Sequence, residues 1–197
     1  IILHSHPFII SVLSRAMAES SDMIVINNQT MDLTKFRTLM DDSIKMCNRP
    51  PKKLVIMNCI LTADRQEMLQ DICIILHDYP SISKLELAGI GLVDNEVKYL
   101  YDWMAFSKLT SLDLRRNNIG YNGAVTLAKA VAEYDQLIHV NTESNHVGYE
   151  GDEVLNEAFA AAWNRRNGVQ SEPVLPSRID ILRSDSVTFQ NQALNID

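Results

Sequence analysis

The stretch Leu109-Thr110-Ser111-Leu112-Asp113-Leu114-Arg115-Arg116-Asn117-Asn118-Ile119 sets apolar side chains at regular intervals before a single asparagine. Leu112 and Leu114 alternate with polar residues, which predicts a short strand with one face toward a core. Asn117 follows where the chain must bend, and its side chain can pair with backbone groups that the bend would otherwise bury without partners. The stretch therefore predicts a strand that ends in a hydrogen-bonded turn.

The same frame recurs along the chain at intervals of 27–31 residues. The motif Asn118–Gly123 also returns 28 residues later as His146–Gly151. Asn145 takes the place of Asn117 in the last frame, whereas Gln29, Cys59 and Ile90 take it in the earlier ones, so we expect a good side-chain ladder only around Asn117 and Asn145. The first strand residues of the five frames are Ile24, Leu54, Leu85, Leu112 and Val140.

Between the strands, apolar residues recur at helical spacing and predict one amphipathic helix per frame. The clearest stripes are Leu69, Ile72, Leu76 and Tyr79; Val97, Leu100, Tyr101 and Met104; Ala124, Leu127, Ala128 and Val131; and Val154, Leu155, Ala158, Phe159 and Ala162. A further stripe begins with Leu33, Phe36 and Met40. Strands that alternate with helices predict an α/β fold with a parallel sheet.

These frames resemble the leucine-rich repeat family, whose frame is L-x-x-L-x-L-x-x-N/C-x-L. The resemblance covers about residues 20–168, and repeats of this length with a full helix are similar to the ribonuclease-inhibitor-like subclass. It implies a solenoid shaped as a horseshoe, with a curved parallel sheet on the concave side and helices on the convex side. Each repeat then buries its apolar face only against its neighbours.

Two segments flank the five frames. Phe8, Val12, Leu13, Ala16 and Met17 predict a helix of a truncated upstream repeat, so that residues 1–168 form the array. Residues 169–197 carry no further frame, and they are either a tail or a cap. Because this segment is too apolar for a solvated linker, we expect Arg178–Leu182 to cover the open core of the last repeat. The first residues lack Met and a cleavage site, which indicates the cut end of a longer chain.

Composition excludes several classes of function. The chain has 18 Lys and Arg against 25 Asp and Glu, a net charge of −7 that argues against non-specific nucleic-acid binding. No apolar run is long enough for a membrane span. Three cysteines without a Cys-x-x-Cys pair favour a reducing compartment, so we expect a cytoplasmic location.

No pattern of residues indicates catalysis. His4-Ser5-His6 offers only two metal ligands near the terminus, Gly89-Ile90-Gly91 lacks the partners of a phosphate loop, and Cys59 has no accompanying His. The glycines of the two Gly-Tyr-x-Gly turns are expected to permit tight strand-to-helix turns. We therefore expect no catalytic residue, no cofactor, no metal ion and no small-molecule substrate.

The residues that alternate with the core positions point to the concave face. We hypothesise that this face binds a protein partner through Val55 and Met57 as an apolar anchor, with charged residues setting specificity. The alternative is that the valines serve strand propensity and the charges are only solvated. The predicted site residues are Val55, Met57, Glu86, Asp113, Arg115, Asn141 and Glu143.

The resemblance implies a non-catalytic protein-interaction module, since the family generally supplies surface. We expect it to belong to a larger intracellular protein or to an effector that bacteria deliver into a host cytosol. Two alternatives stay open. Val140–Asn145 looks similar to a repeat in the tropomodulin family, which suggests an actin-capping module. The chain could also target an enzyme whose catalytic part lies elsewhere.

Overall fold

The computed structural model describes residues 22–169, with the exception of residues 48, 63 and 106. The predicted N-terminal helix over Phe8–Met17 and the predicted cap over Arg178–Leu182 lie outside the described residues. His4 and His6 lie outside them as well. Within the described part of the chain, short strands alternate with helices, as the periodicity predicts.

Five strands form one parallel sheet whose order follows the sequence. They are β1 (Met23–Asn27), β3 (Lys53–Met57), β5 (Lys84–Ala88), β6 (Ser111–Asp113) and β7 (His139–Asn141). Two short strands, β2 (Thr30–Met31) and β4 (Ile60–Leu61), pair separately. The helices are α1 (Leu33–Met46), α2 (Arg65–Asp78), α3 (Asp94–Met104), α4 (Tyr121–Glu133) and α5 (Gly148–Arg166).

The register of the sheet places equivalent frame positions side by side. Ile24 pairs with Leu54, Leu54 with Leu85, Leu85 with Leu112, and Leu112 with Val140. Leu54, Leu85 and Leu112 are at most 1 % exposed and lie in the same core, between the sheet and the helices. This confirms the predicted frames and the parallel strands, since the apolar side chains of each strand pack in a shared core.

The asparagine ladder is confined to two repeats, as predicted. Asn117 Oδ1 accepts hydrogen bonds from the backbone N–H groups of Ile90, Gly91 and Leu92 at 3.0–3.1 Å. Its Nδ2 donates to the carbonyls of Leu87 and Leu114 at 2.7 and 2.8 Å. Asn145 repeats the arrangement with fewer bonds, because its Oδ1 accepts only from Ile119 N–H. Cys59 is buried, and its thiol donates weak hydrogen bonds to the Met57 carbonyl at 3.3 Å and to the Ile26 carbonyl at 3.8 Å.

Shortly after the strand of each of the five frames, one residue adopts the left-handed backbone conformation, a regularity that the sequence did not suggest. The φ angles of Asn28, Asn58, Gly89, Arg116 and Ser144 lie between 51° and 63°. In the first four, the backbone N–H donates to the carbonyl of the next repeat at 2.9–3.1 Å. The left-handed turn therefore extends the ladder of the sheet by one residue while it redirects the chain toward the helix.

The glycines of the repeated Gly-Tyr-x-Gly motif do not share the role predicted for them. Gly148 has φ +70° and needs the left-handed conformation, but Gly120 has an ordinary extended φ of −99°. Gly123 lies within α4, where an added Cβ would clash with Ile119 and lie 2.7 Å from Asp94 Oδ1. Its small size therefore serves close packing between neighbouring repeats rather than a turn.

The last helix, α5, ends in a glycine cap, and its last two arginines contact the preceding repeat. Gly168 has φ +65° and the Val169 N–H donates to the Asn164 carbonyl, the arrangement of a glycine helix C-cap. Arg165 donates to the Ala132 carbonyl at 2.8 Å and Arg166 donates to the Leu137 carbonyl at 2.9 Å. These side chains bridge two repeats by binding carbonyl groups at and after the end of α4.

Candidate functional site

The sheet brings the predicted site residues together on the face away from the helices, which we call the concave face. Val55, Glu86, Asp113 and Asn141 are neighbours in the register of β3, β5, β6 and β7. Met57 ends β3, and Arg115 and Glu143 lie two residues after Asp113 and Asn141 on their own chain segments. All seven residues thus occupy two adjacent columns across the sheet.

A network of charges crosses the middle of the concave face, and Glu86 is at its centre. Lys53 Nζ donates to Glu86 Oε2 at 2.7 Å, and Arg115 Nη2 donates to Glu86 Oε1. Arg115 Nη1 also lies 3.6 Å from Asp113 Oδ2, and Asn141 Nδ2 donates to that oxygen at 3.4 Å. The network therefore ties together four of the five strands of the sheet.

The electrostatic setting keeps Glu86 ionised. Burial raises the pKa of the Glu86 carboxyl, but the hydrogen bond and charge of Lys53, together with Arg115, outweigh it and lower the pKa overall. The side chains of Lys53 and Arg115 remain 35 % and 31 % exposed, so water still screens both cations. Glu86 thus acts as a buried anion that holds two partly exposed cations in place.

Val55 and Glu86, two of the predicted site residues, are buried, since they are only 3 % and 4 % exposed. Val55 lies between Val25 and Glu86 in the register and between Lys53 and Met57 along β3. Side chains on neighbouring strands stand about 5 Å apart, so the longer side chains of Lys53, Met57 and Glu86 flank the shorter valine. Of the predicted apolar anchor, only Met57 remains partly exposed.

The rest of the predicted set remains accessible. Asp113, Arg115 and Asn141 are partly exposed, and Glu143 is exposed. Asp113 Oδ1 accepts from the Arg115 N–H at 3.1 Å, and Asn141 Oδ1 accepts from the Glu143 N–H at 2.9 Å, which fixes both side chains. Lys53 is the residue whose role the strand alternation alone did not reveal. The sequence feature that indicates this role is the opposite charge of Glu86, which lies on β5 diagonally across from Lys53 on β3.

The described residues show no other obvious chemistry. Burial raises the pKa of the Cys59 thiol, and it raises that of Cys73 to about 12, so both thiols stay protonated at neutral pH. Between residues 22 and 169, apart from the three omitted positions, no group of three or more His, Cys, Asp or Glu residues could hold a metal ion. The helices described in the same range are all too short or too polar to cross a membrane.

A family model described as a leucine-rich repeat matches residues 107–128. The chain is similar to the leucine-rich repeat family. The leucine-rich repeat match covers β6, Asn117 and the first part of α4, which is the stretch with the most complete frame. The parallel sheet of five strands alternating with helices is consistent with a leucine-rich repeat solenoid, an architecture that typically supplies a protein-interaction module. No curated protein matches the sequence.

Proposed function

We propose that the chain is a non-catalytic protein-interaction module that binds a protein partner on its concave face. The observation that carries the proposal is the charge network, in which buried Glu86 holds Arg115 and Lys53 in fixed positions. A side chain that is already held loses less rotamer freedom when a partner binds. The network thus supports a recognition surface that is ready before binding.

The proposed contact residues are the accessible members of the predicted set: Met57, Asp113, Arg115, Asn141 and Glu143. Met57 supplies an apolar contact on a face that also presents the cation of Arg115 and the carboxylates of Asp113 and Glu143, and interfaces commonly combine an apolar centre with a polar rim. Val55 and Glu86 support the surface from beneath. We propose a protein partner because the charges alternate in sign, whereas a nucleic acid would favour a continuous basic surface.

We also propose the ribonuclease-inhibitor-like subclass, because each of the five described helices has 11–19 residues. A cytoplasmic setting fits the free cysteines Cys47, Cys59 and Cys73. The wider context, a larger intracellular protein or a bacterial effector, remains part of this proposal. The actin-capping alternative rests only on the likeness of Val140–Asn145 to a tropomodulin repeat.

Capture of partners with matched variants tests the proposal. Met57→Glu and Arg115→Glu change the concave face, and Ile74→Glu and Lys98→Glu make the same changes on exposed helix positions. Each protein recovered from a cytosolic lysate is quantified on all four variants and on the native chain. We expect a specific partner to be lost at least about tenfold, equivalent to about 1.4 kcal/mol, on the concave variants alone.

Equal recovery on all variants, or loss confined to the helix variants, would contradict concave-face binding. Met57→Glu is the decisive variant, because Met57 takes no part in the hydrogen bonds of the charge network. Its unfolding midpoint, measured alongside, shows whether the fold is intact.

A further inference from the structure

The sheet ends at β7 with a free edge among the described residues. His139 N–H donates to the Thr110 carbonyl at 3.1 Å, and the Asn141 carbonyl accepts from Leu114 N–H at 2.8 Å. In a parallel ladder, alternate residues direct their backbone groups to the same side. Val140 therefore directs its N–H and C=O groups, and Thr142 its N–H group, away from β6 toward a position where another strand could pair. The Thr142 carbonyl accepts from Asn145 Nδ2 at 3.0 Å.

The core beneath this edge is also incomplete. Val140 is only partly buried, whereas its equivalents Ile24, Leu54, Leu85 and Leu112 are at most 2 % exposed. A groove of about 350 Å³ opens beside it between β7 and α5, and Ile138 at its margin is 61 % exposed. The groove is lined by Ile138, His139, Val140, Thr142, Asp152, Leu155, Asn156 and Phe159.

The chain that follows is long enough to fill this place, and it starts at the right end. Residues 170–197 supply 28 residues, the length of one repeat. Arg166 at the end of α5 donates to the Leu137 carbonyl, two residues before β7, so the chain leaves the helix beside the start of that strand. Nine steps from Val169 to Arg178 can span up to about 30 Å.

We propose that Arg178–Leu182 pairs in cis with β7 as a sixth parallel strand. Ile179 and Ile181 alternate as core-facing residues, so Ile179 lies beside Val140 and Ile181 beside Thr142. Arg183 follows the segment and shares the alternation of Ile179 and Ile181, which directs it toward the groove that Asp152 lines. The opposite charges favour this occupant over an acidic one. Asp180 and Leu182 then extend the two columns of the concave face by one strand.

Amide hydrogen exchange in the full 197-residue chain tests the proposal. The probes are the amides of Val140 and Thr142, with the Leu85 amide in the central strand as a reference for global unfolding. We expect Ile179→Asp to speed exchange at Val140 and Thr142 by about tenfold or more and to leave Leu85 unchanged. Val187→Asp introduces the same residue outside the segment, and it should leave the exchange rates of Val140 and Thr142 unchanged.

A charge exchange gives a second test that does not depend on a core substitution. Arg183→Glu alone and Asp152→Arg alone should each speed exchange at Val140, and the two together should restore the native rate.

Rapid exchange at Val140 and Thr142 in the native chain, or equal exchange in Ile179→Asp and the native chain, would overturn the proposal. Protection that rises with protein concentration, together with a doubled mass in sedimentation, would assign the edge to a second copy instead.

Discussion

At the scale of the residue, Asn117 ties two repeats together, because its side chain pairs with five of their backbone groups at 3.1 Å or less. Asn117→Ala leaves four of these groups without this partner, while the Leu114 carbonyl still accepts from Asn145 Nδ2 at 2.9 Å. Each unpaired buried group costs about 1–3 kcal/mol before relaxation. We expect urea unfolding to show a loss of about 3 kcal/mol.

Asn145→Ala is the matched control for this prediction. Asn145 is only partly buried and accepts a single backbone hydrogen bond, so its removal should cost about 1 kcal/mol. Equal losses in the free energy of unfolding for the two variants would show that the number and burial of these hydrogen bonds do not determine how much each asparagine stabilises the fold.

Arg116 occupies a left-handed conformation that glycine adopts at lower cost. A non-glycine residue there loses about 1–2 kcal/mol, partly offset by the larger entropy that glycine loses on folding. Arg116→Gly should therefore raise the free energy of unfolding by about 0.5–1 kcal/mol. Lys98→Gly, on an exposed helix position of α3, should lower it by about 1 kcal/mol. A destabilised Arg116→Gly would refute the prediction.

Glu86 makes stability depend on pH in a defined direction. Its pKa in the folded chain lies below the ordinary value of 4.5, so its stabilising effect is complete above pH 4.5 and is lost as pH falls through the folded value. Glu86→Gln should lower stability at pH 7 by about 1–2 kcal/mol, a range reduced for the partly exposed cations. The difference from the native chain should shrink below pH 4.5 in denaturant titrations. A difference that is constant with pH would exclude the ionised form as its source.

At the scale of the element, the approach of α4 to the preceding repeat depends on Gly123. Gly123→Ala gains helix propensity of about 1 kcal/mol, but its Cβ would meet Ile119 and the carboxylate of Asp94, which itself accepts from the Gly120 N–H at 2.6 Å. Overpacking of this kind costs about 1–3 kcal/mol, so we expect a net loss in thermal unfolding. The exposed Asn122→Ala should be nearly neutral, and a more stable Gly123→Ala would contradict this account of the packing.

The strands and helices could be predicted from sequence because each repeat contains both the alternating apolar pattern of a strand and the apolar spacing of a helix. Leu112 and Leu114 mark a strand, and Ala124, Leu127 and Val131 mark the following helix. The left-handed residues could not be predicted, because Asn28, Gly89, Arg116 and Ser144 share no side-chain property. Their backbone position is imposed by the stacking of repeats, which is a long-range constraint.

At the scale of the whole molecule, the concave surface was only partly predictable. Alternation predicts that Met57, Asp113, Arg115, Asn141 and Glu143 share one face, but alternation gives the direction of a side chain and not its exposure. The burial of Val55 and Glu86 depends on which side chains stand beside them in the sheet. That information requires the strand register, since a repeat recognised alone does not show its neighbours.

The central claim is that neighbouring repeats stack in parallel and share one core. Methyl nuclear Overhauser contacts in the isotope-labelled chain test it directly. The account predicts contacts between the methyl groups of Leu54 and Leu85 and between those of Leu85 and Leu112, which are paired in the register. Absence of both contacts, or backbone contacts that pair Lys53 with Ala88 in an antiparallel arrangement, would contradict it.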